Sequence, residues 1–422
     1  MRTKLLCLAS ALTLATVAVS AQTVTDPSLT VENAVTAGSL NSPTAMVFLS
    51  ATDVLVGEKN SGQVRRVIAG AVQAGNVLDL AVANNSERGL LGMVIDPEFA
   101  TNNHVYIYYT RAASDGGTAL DNRVDRFTWS GTALTSQQNL LVLPATSGPN
   151  HNGGIITIGP PTVAAAQQKL FVIIGDLNRN NRTENWAAGA APDDTAAVIR
   201  INRDGTIPSG ADKGPLYDEG VTAGNPSLQR LYAYGVRNSF GMDFDPQSGD
   251  IWDTENGAAQ YDEINRVLPG FNSGWENIMG PVSRNNLEGA PSRVQLGATD
   301  MYADPVFSWV NTVAPTALHF VRSNGLGAAY NGQMLVGDSN NGRLYKFELN
   351  GARDAFVLTG NVADNVFDPT DTLSLIQFGS GFGAVTDIET GPDGYVYVLS
   401  LTNGTIYRVR STVSDVADWQ LY

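Results

Sequence analysis

Six times along this 422-residue chain an apolar stretch runs into an acidic or glycine-rich turn and then into a second apolar stretch, as in FGMDFDPQSGDIWDTENG (240–257) and GAVTDIETGPDGYVYVLS (383–400). The other copies fall at 43–62, 89–110, 153–176 and 315–342. Each reads as two antiparallel strands, and a third usually follows, as in QVRRVIAGA, NRVDRFTWSG and RLYKFELNG. A repeat of about 40–50 residues with three or four strands is the sequence form of a propeller blade. The chain is therefore expected to be all-β, a six-bladed β-propeller of four-stranded antiparallel blades. VLDLAVAN, NLLVLPA and DAFVLTG are expected to fill the fourth position in blades one, two and five. A spare strand, SLTVENAVTAG (28–38), is expected to complete blade six and close the ring. The spacing widens in the middle of the chain, which predicts inserted loops there. No Pro/Ser-rich linker divides the repeats, so one propeller domain over 22–422 is expected rather than two stacked β-sandwiches.

The first 21 residues, MRTKLLCLASALTLATVAVSA, carry two basic residues, an apolar run and small residues before Gln22, the pattern of a secretory signal cleaved after Ala21. No later apolar run is long enough to span a bilayer, so a secreted or periplasmic protein is expected. The one cysteine, Cys7, falls inside this leader, which leaves the mature fold without disulfides. Two of the 26 Lys and Arg residues also lie in the leader, leaving 24 against 41 acidic residues, a net charge near −17. Nucleic acid is excluded as a partner by the lack of a basic footprint. The acidity suits either solubility alone or oxygen-ligand calcium sites.

In a propeller, the loop that enters each innermost strand and the loop between a blade's second and third strands open on the same face. This geometry gathers Glu87, His151, Arg237 and Asn238 around one channel mouth, with Asp176, Glu255, Asn256 and Asp338 near the rim. A concave mouth with convergent polar groups is a candidate site. His151 is one of three histidines; His104 and His319 fall within strand patterns and read as structural. Flanked by Gly153 and Gly154, His151 is either a turn residue or a neutral imidazole able to accept a hydroxyl proton. Arg237 is either a blade-to-blade strut or a planar clamp for a carbonyl or carboxylate. The loop TENGAAQYDEIN (254–265) is either a hairpin with solvated acids or a calcium loop of carboxylates and carbonyls.

Together ERGLLGMVIDPEF, NHNGG with LFVIIGD, YAYGVRNSFGMDFDPQSGDIWDTENG, DEINRVLPGFNSGW and GPDGYVYVLS resemble the glucose/sorbosone dehydrogenase-like family. These are soluble aldose sugar dehydrogenases that use pyrroloquinoline quinone (PQQ) on a six-bladed propeller. The resemblance implies that His151 is the base for the sugar's anomeric hydroxyl, that Arg237 and Asn238 contact the cofactor, and that the carbonyls of Gly257 and Ala258 hold a calcium ion. It implies that Glu263 binds a second, structural calcium. Glu87 stands where the dehydrogenases place a glutamine beside the cofactor, and Asn150 where some have aspartate. Asn340, Ala384 and Thr386 stand where the family supplies a lysine in blade five and an Arg-x-Arg pair in blade six. The function so implied is oxidation of a sugar or other alcohol by hydride transfer to a quinone, with the electron acceptor left open. The alternatives are a propeller that binds partners without redox chemistry and, less favoured, a calcium-dependent lactonase.

Overall fold

In the computed structural model, residues 21–179, 191–285 and 302–412 are described; the expected leader falls almost wholly outside them. Strand alternation explains the architecture. In Lys169–Ile174, Leu170, Val172 and Ile174 point into one hydrophobic cluster, while Phe171 and Ile173 point into another. Successive side chains leave a strand on opposite faces, so a sheet with apolar residues on both faces needs a neighbour on each side. Six sheets solve this by standing side by side in a ring, and six clusters fill the seams between consecutive blades. The sixth cluster joins Tyr397, Leu399 and Ile406 of blade six to Met46, Val54 and Val56 of blade one. The fold is a closed six-bladed β-propeller.

The innermost strands, Pro43–Ser50, Leu90–Ile95, Ile156–Gly159, Gly241–Phe244, Pro315–Phe320 and Val385–Thr390, surround the central channel. Ring closure uses the spare N-terminal strand: Leu29–Asn33 pairs antiparallel with Thr405–Ser411 of blade six, with Thr30 opposite Arg410. Glu32 bridges to Arg408 and Arg410 across this seam. A further strand, Thr23–Val24, adds to the outer edge of blade five through Gly379 and Ser380.

The outermost strands depart from expectation. In blade five, DAFVLTG contributes only an isolated bridge between Leu349 and Phe356, and Gln377–Ser380 takes the fourth position. In blade one the fourth position is shared by two short pieces, Ala71–Val72 and Leu78–Asp79. Blade two has the full fourth strand, Leu134–Leu143, which begins before NLLVLPA. Outer strands touch fewer neighbours and face solvent, so their patterns are less constrained than those of the inner strands. The mid-chain insertion is partly helical rather than loop alone. Helix α1 (Tyr217–Ala223) and helix α2 (Pro226–Arg230) precede the fourth strand of blade three. Asn225 caps α2 by accepting from the amides of Ser227 and Leu228, with Pro226 in the first helical turn.

Candidate active site

The loop 148–154, which leads into blade three, holds His151 at φ 59°, followed by Gly153 at 58° and Gly154 at 110°. A left-handed backbone at a non-glycine residue costs roughly 1–2 kcal/mol and persists where its surroundings fix it. They do so here. The His151 amide donates to Glu87 Oε2 at 2.5 Å, Tyr108 Oη donates to the Asn152 carbonyl at 2.9 Å, and Asn152 Nδ2 donates to the Pro149 carbonyl at 2.7 Å. Gly154 is required by contact, since a Cβ there would lie 2.4 Å from Leu91 Cβ.

The His151 side chain is 9% exposed and sits against Asp176, with Nδ1 2.5 Å from Oδ1. Asp176 is itself oriented: Oδ2 accepts from Trp275 Nε1 at 2.8 Å, Oδ1 also accepts the Asn178 amide, and its own amide donates to the Arg237 carbonyl. A carboxylate beside Nδ1 fixes the proton there and leaves Nε2 as the acceptor. Nε2 has no hydrogen-bond partner among the described residues. Gly175 lets these loops meet, because a Cβ would stand 2.4 Å from the Arg237 carbonyl oxygen and 2.7 Å from that of His151.

Arg237 lies over the Trp275 ring, 5.3 Å from its centroid, and donates from Nη1 to the Asn256 carbonyl at 2.7 Å. Its backbone amide donates to Glu255 Oε1 at 2.7 Å, while Glu255 Oε2 accepts from Ser273 Oγ. Burial pushes the Glu255 carboxyl up to about 7 despite these donors and the Arg237 charge. Asn238 Nδ2 donates to Glu87 at 3.0 Å, on the same oxygen that holds the His151 amide. Among the described residues, three buried polar atoms of this group have no hydrogen-bond partner: Arg237 Nε, Asn238 Oδ1 and Asn256 Oδ1. An unmet buried donor or acceptor costs about 1–3 kcal/mol, so three of them on adjacent loops mark a surface built for a polar ligand.

The structure thus brings together His151, Asp176, Glu87, Arg237, Asn238, Glu255 and Asn256. Asp338 is not among them; its carboxylate is taken up within blade five by Asn341, Tyr345 and the Arg343 amide. Asn150 is held by Ser86 Oγ on the blade-two loop. A cavity of about 190 Å³ at the mouth is lined by Glu87, Ser86, Lys59, Phe240, Ala384 and Thr386, among others. Asn340 donates to the Thr312 carbonyl and Thr386 to that of Pro43, so neither brings charge to the cavity.

The acids of 254–265 are not solvated: Glu255, Asp262 and Glu263 are all buried. Asp262 is saturated by the amides of Gly257, Val313 and Ala314. Gly257 sits in a cradle of carbonyls, where a Cβ would come 2.1 Å from the Gln260 oxygen and 2.5 Å from that of Tyr261. Glu263 projects from the same face of blade four as Asp253, Asn265 and Ser308, its neighbours in the strand register. It accepts from the Gly280 amide and Asn265 Nδ2. Asp253 Oδ1, Asn265 Oδ1 and Ser308 Oγ are buried without partners among the described residues, and burial pushes the Asp253 and Glu263 carboxyls well up. Oxygen-only donors with unmet lone pairs fit a hard cation such as calcium. Among the described residues no three His, Cys, Asp or Glu side chains already stand in metal-binding geometry.

The model of the glucose/sorbosone dehydrogenase family matches residues 40–408, nearly the whole ring. The chain belongs to this family. Relatives include the Synechocystis protein slr1608, 28% identical over 393 residues covering 88% of this chain and 84% of that one. The aldose sugar dehydrogenase YliI of Escherichia coli is 24% identical over 400 residues, 94% of each chain. Among solved structures, the PQQ-bound aldose sugar dehydrogenase of Streptomyces coelicolor superposes with a TM-score of 0.64 at 23% identity, covering 91% of this chain and 99% of that one.

Within this glucose/sorbosone dehydrogenase fold, Trp275 and Ser273 are the site residues that sequence reasoning did not single out. Both lie in GFNSGW, read only as part of a motif; the indole's contact with Asp176 spans 99 positions, which no local pattern reveals. Lys59 lines the mouth cavity. His319 is structural, as expected, bonded through Nε2 to Thr390 Oγ1 at 2.8 Å deep in the channel.

Proposed function

We propose that the protein is an exported, PQQ-dependent aldose dehydrogenase that oxidises a sugar, or a similar alcohol, at the channel mouth. The observation that carries this reading is the His151–Asp176 pair, with Nε2 unbonded among the described residues, beside the polar atoms of Arg237, Asn238 and Asn256 that find no partner there. The family match and the PQQ in the Streptomyces structure support the cofactor. Arg237 and Asn238 would hold the quinone near its reactive carbonyl, and Glu87 and Asn150 would shape its flank. The carbonyls of Gly257 and Ala258 would supply calcium ligands beside it, and Glu263 would serve a separate structural calcium. PQQ, when bound, accepts the hydride released from the sugar's anomeric carbon.

His151 Nε2 takes the proton from the anomeric hydroxyl, so that as the C–H hydride leaves, the C–O bond becomes a carbonyl and the aldose a lactone. Asp176 holds the imidazole in the competent tautomer and stabilises the imidazolium that results. Trp275 fixes Asp176 from the far side and stacks on Arg237, keeping acid, base and guanidinium in register. The Glu87 carboxylate ties the His151 backbone to Asn238, so base and cofactor contact move as one unit.

The leader at 1–21 and a propeller domain over 22–422 belong to the same proposal, with a secreted or periplasmic location. Among the described residues no helix is long and apolar enough to cross a membrane. The test is titration of the purified protein with PQQ in calcium, followed by dye-linked oxidation of aldoses. A saturable change in quinone absorbance with sugar-dependent dye reduction supports the reading. No binding at high micromolar PQQ overturns it in favour of a partner-binding propeller.

A further inference from the structure

The wall of the mouth cavity formed by blades five and six is uncharged, with Ala384, Thr386 and Ser339 facing the space. PQQ is a tricarboxylate and needs cations, because each carboxylate brought out of water without a counter-charge is costly. Blade one, which adjoins blade six in the ring, carries one into the same cavity: Lys59. Its Nζ donates to the Ser86 carbonyl at 2.7 Å, Asn60 Oδ1 at 3.2 Å and the Asn84 carbonyl at 3.4 Å, all neutral oxygens. The nearby acid, Glu87, is occupied through Oε2 by the His151 amide and Asn238. The lysine stem runs over Gly89, where a Cβ would fall 2.7 Å from Lys59 Cγ. Burial depresses the ammonium, and the Glu87 charge offsets this in part.

This is a half-buried cation, held by neutral partners on a flexible stem, at the mouth of a site read as binding a polyanion. Exchanging a neutral carbonyl for a carboxylate turns an ordinary hydrogen bond into a charge-assisted one, which is roughly twice as strong. We infer that Lys59 is the anchor for a carboxylate of the quinone cofactor, supplied from blade one where blades five and six offer no charge. The inference rests on the PQQ reading above and adds a residue to it.

The test compares PQQ with its trimethyl ester as ligands of the full protein in calcium, read by quinone absorbance, for the parent, Lys59→Met and Lys59→Arg. The parent is expected to prefer the acid to the ester. Lys59→Met should weaken acid binding by about ten- to a hundredfold, the range for hydrogen bonds to charged groups. It should leave ester binding unchanged, with at most a small drop in melting temperature from the lost Ser86 and Asn84 contacts, and Lys59→Arg should stay within a few-fold of the parent. Equal acid binding by parent and Lys59→Met overturns the anchor while the quinone reading stands. Failure of the parent to bind either ligand removes the quinone reading and the anchor with it.

Discussion

Asp176 stands between His151 and Trp275, its Oδ1 2.5 Å from the histidine Nδ1 and its Oδ2 accepting the indole N–H at 2.8 Å. If this carboxylate sets the tautomer of the base, Asp176→Asn should lower sugar turnover about 10²- to 10⁴-fold, as should His151→Ala. Groups that act as a unit are not additive, so the double variant should lose little beyond either single one. Steady-state dye reduction on the three variants checks this; full additivity would separate the two residues.

Gly175 is predicted to tolerate no side chain. Gly175→Ala places a methyl against the carbonyls of Arg237 and His151, at 2.4 and 2.7 Å, and the loops must part to admit it. PQQ affinity and turnover should both fall, with a lower melting temperature. A variant that binds and melts like the parent would contradict the tight approach of these loops.

Calcium is expected to stabilise the protein through Glu263, since a ligand bound by the native state alone adds stability by mass action. A chelator should lower the melting temperature, and Glu263→Gln should remove most of that response. Identical melting of the parent with and without chelator would leave Glu263, Asp253 and Asn265 as a metal-free polar seam.

Asp387, in the channel, has its carboxyl pushed up to about 7, first by burial and further by the Asp243 charge, against the donated Met46 amide. An unfolded aspartate titrates near 3.9, roughly. Between the two values the native state keeps a proton that the unfolded chain has lost, so stability is full at low pH and falls as pH rises through about 7. Asp387→Asn removes this loss: its melting temperature should exceed the parent's at pH 8, by about 2 °C or more, and match it near pH 4. The same offset at both values would rule out the ionisation.

Ring closure gives a further check. Removing residues 22–33 exposes the Thr405–Ser411 edge and strips Leu29 and Val31 from the cluster that holds Tyr407 and Val409. Loss of solubility or a large drop in melting temperature is expected, because an unpaired strand edge invites association. A truncated chain that melts like the parent would show that Leu29–Asn33 is dispensable.

The inner three strands of each blade were legible because every second residue must enter a seam, as Phe171 and Val172 do on opposite faces of one strand. The outer strands were not, because Gln377–Ser380 buries Phe378 without an alternating pattern to announce it, and the two short pieces of blade one bury little and pair wherever the backbone passes. His151, Glu87, Arg237 and Asn238 were legible as a group once the repeat placed their loops on one face. The roles of Asp176 and Trp275 were not, since contact between them depends on how far each loop leans over the mouth. The composition of 254–265 fits a hairpin with solvated acids as well as a calcium loop; the strand register, which turns Glu255 and Glu263 inward, removes the solvated hairpin.

The pairing of Leu29–Asn33 with Thr405–Ser411 also sets a timetable. Blade six is made from both ends of the described chain, joined even beyond the ladder by the Thr412 amide on the Ser28 carbonyl. A ribosome adding about 5–20 residues per second completes blade one long before the strand that must cover its open side exists. For most of its synthesis the chain therefore carries two unsealed flanks, and Thr405–Ser411, the last of the described strands to be made, ends its exposure.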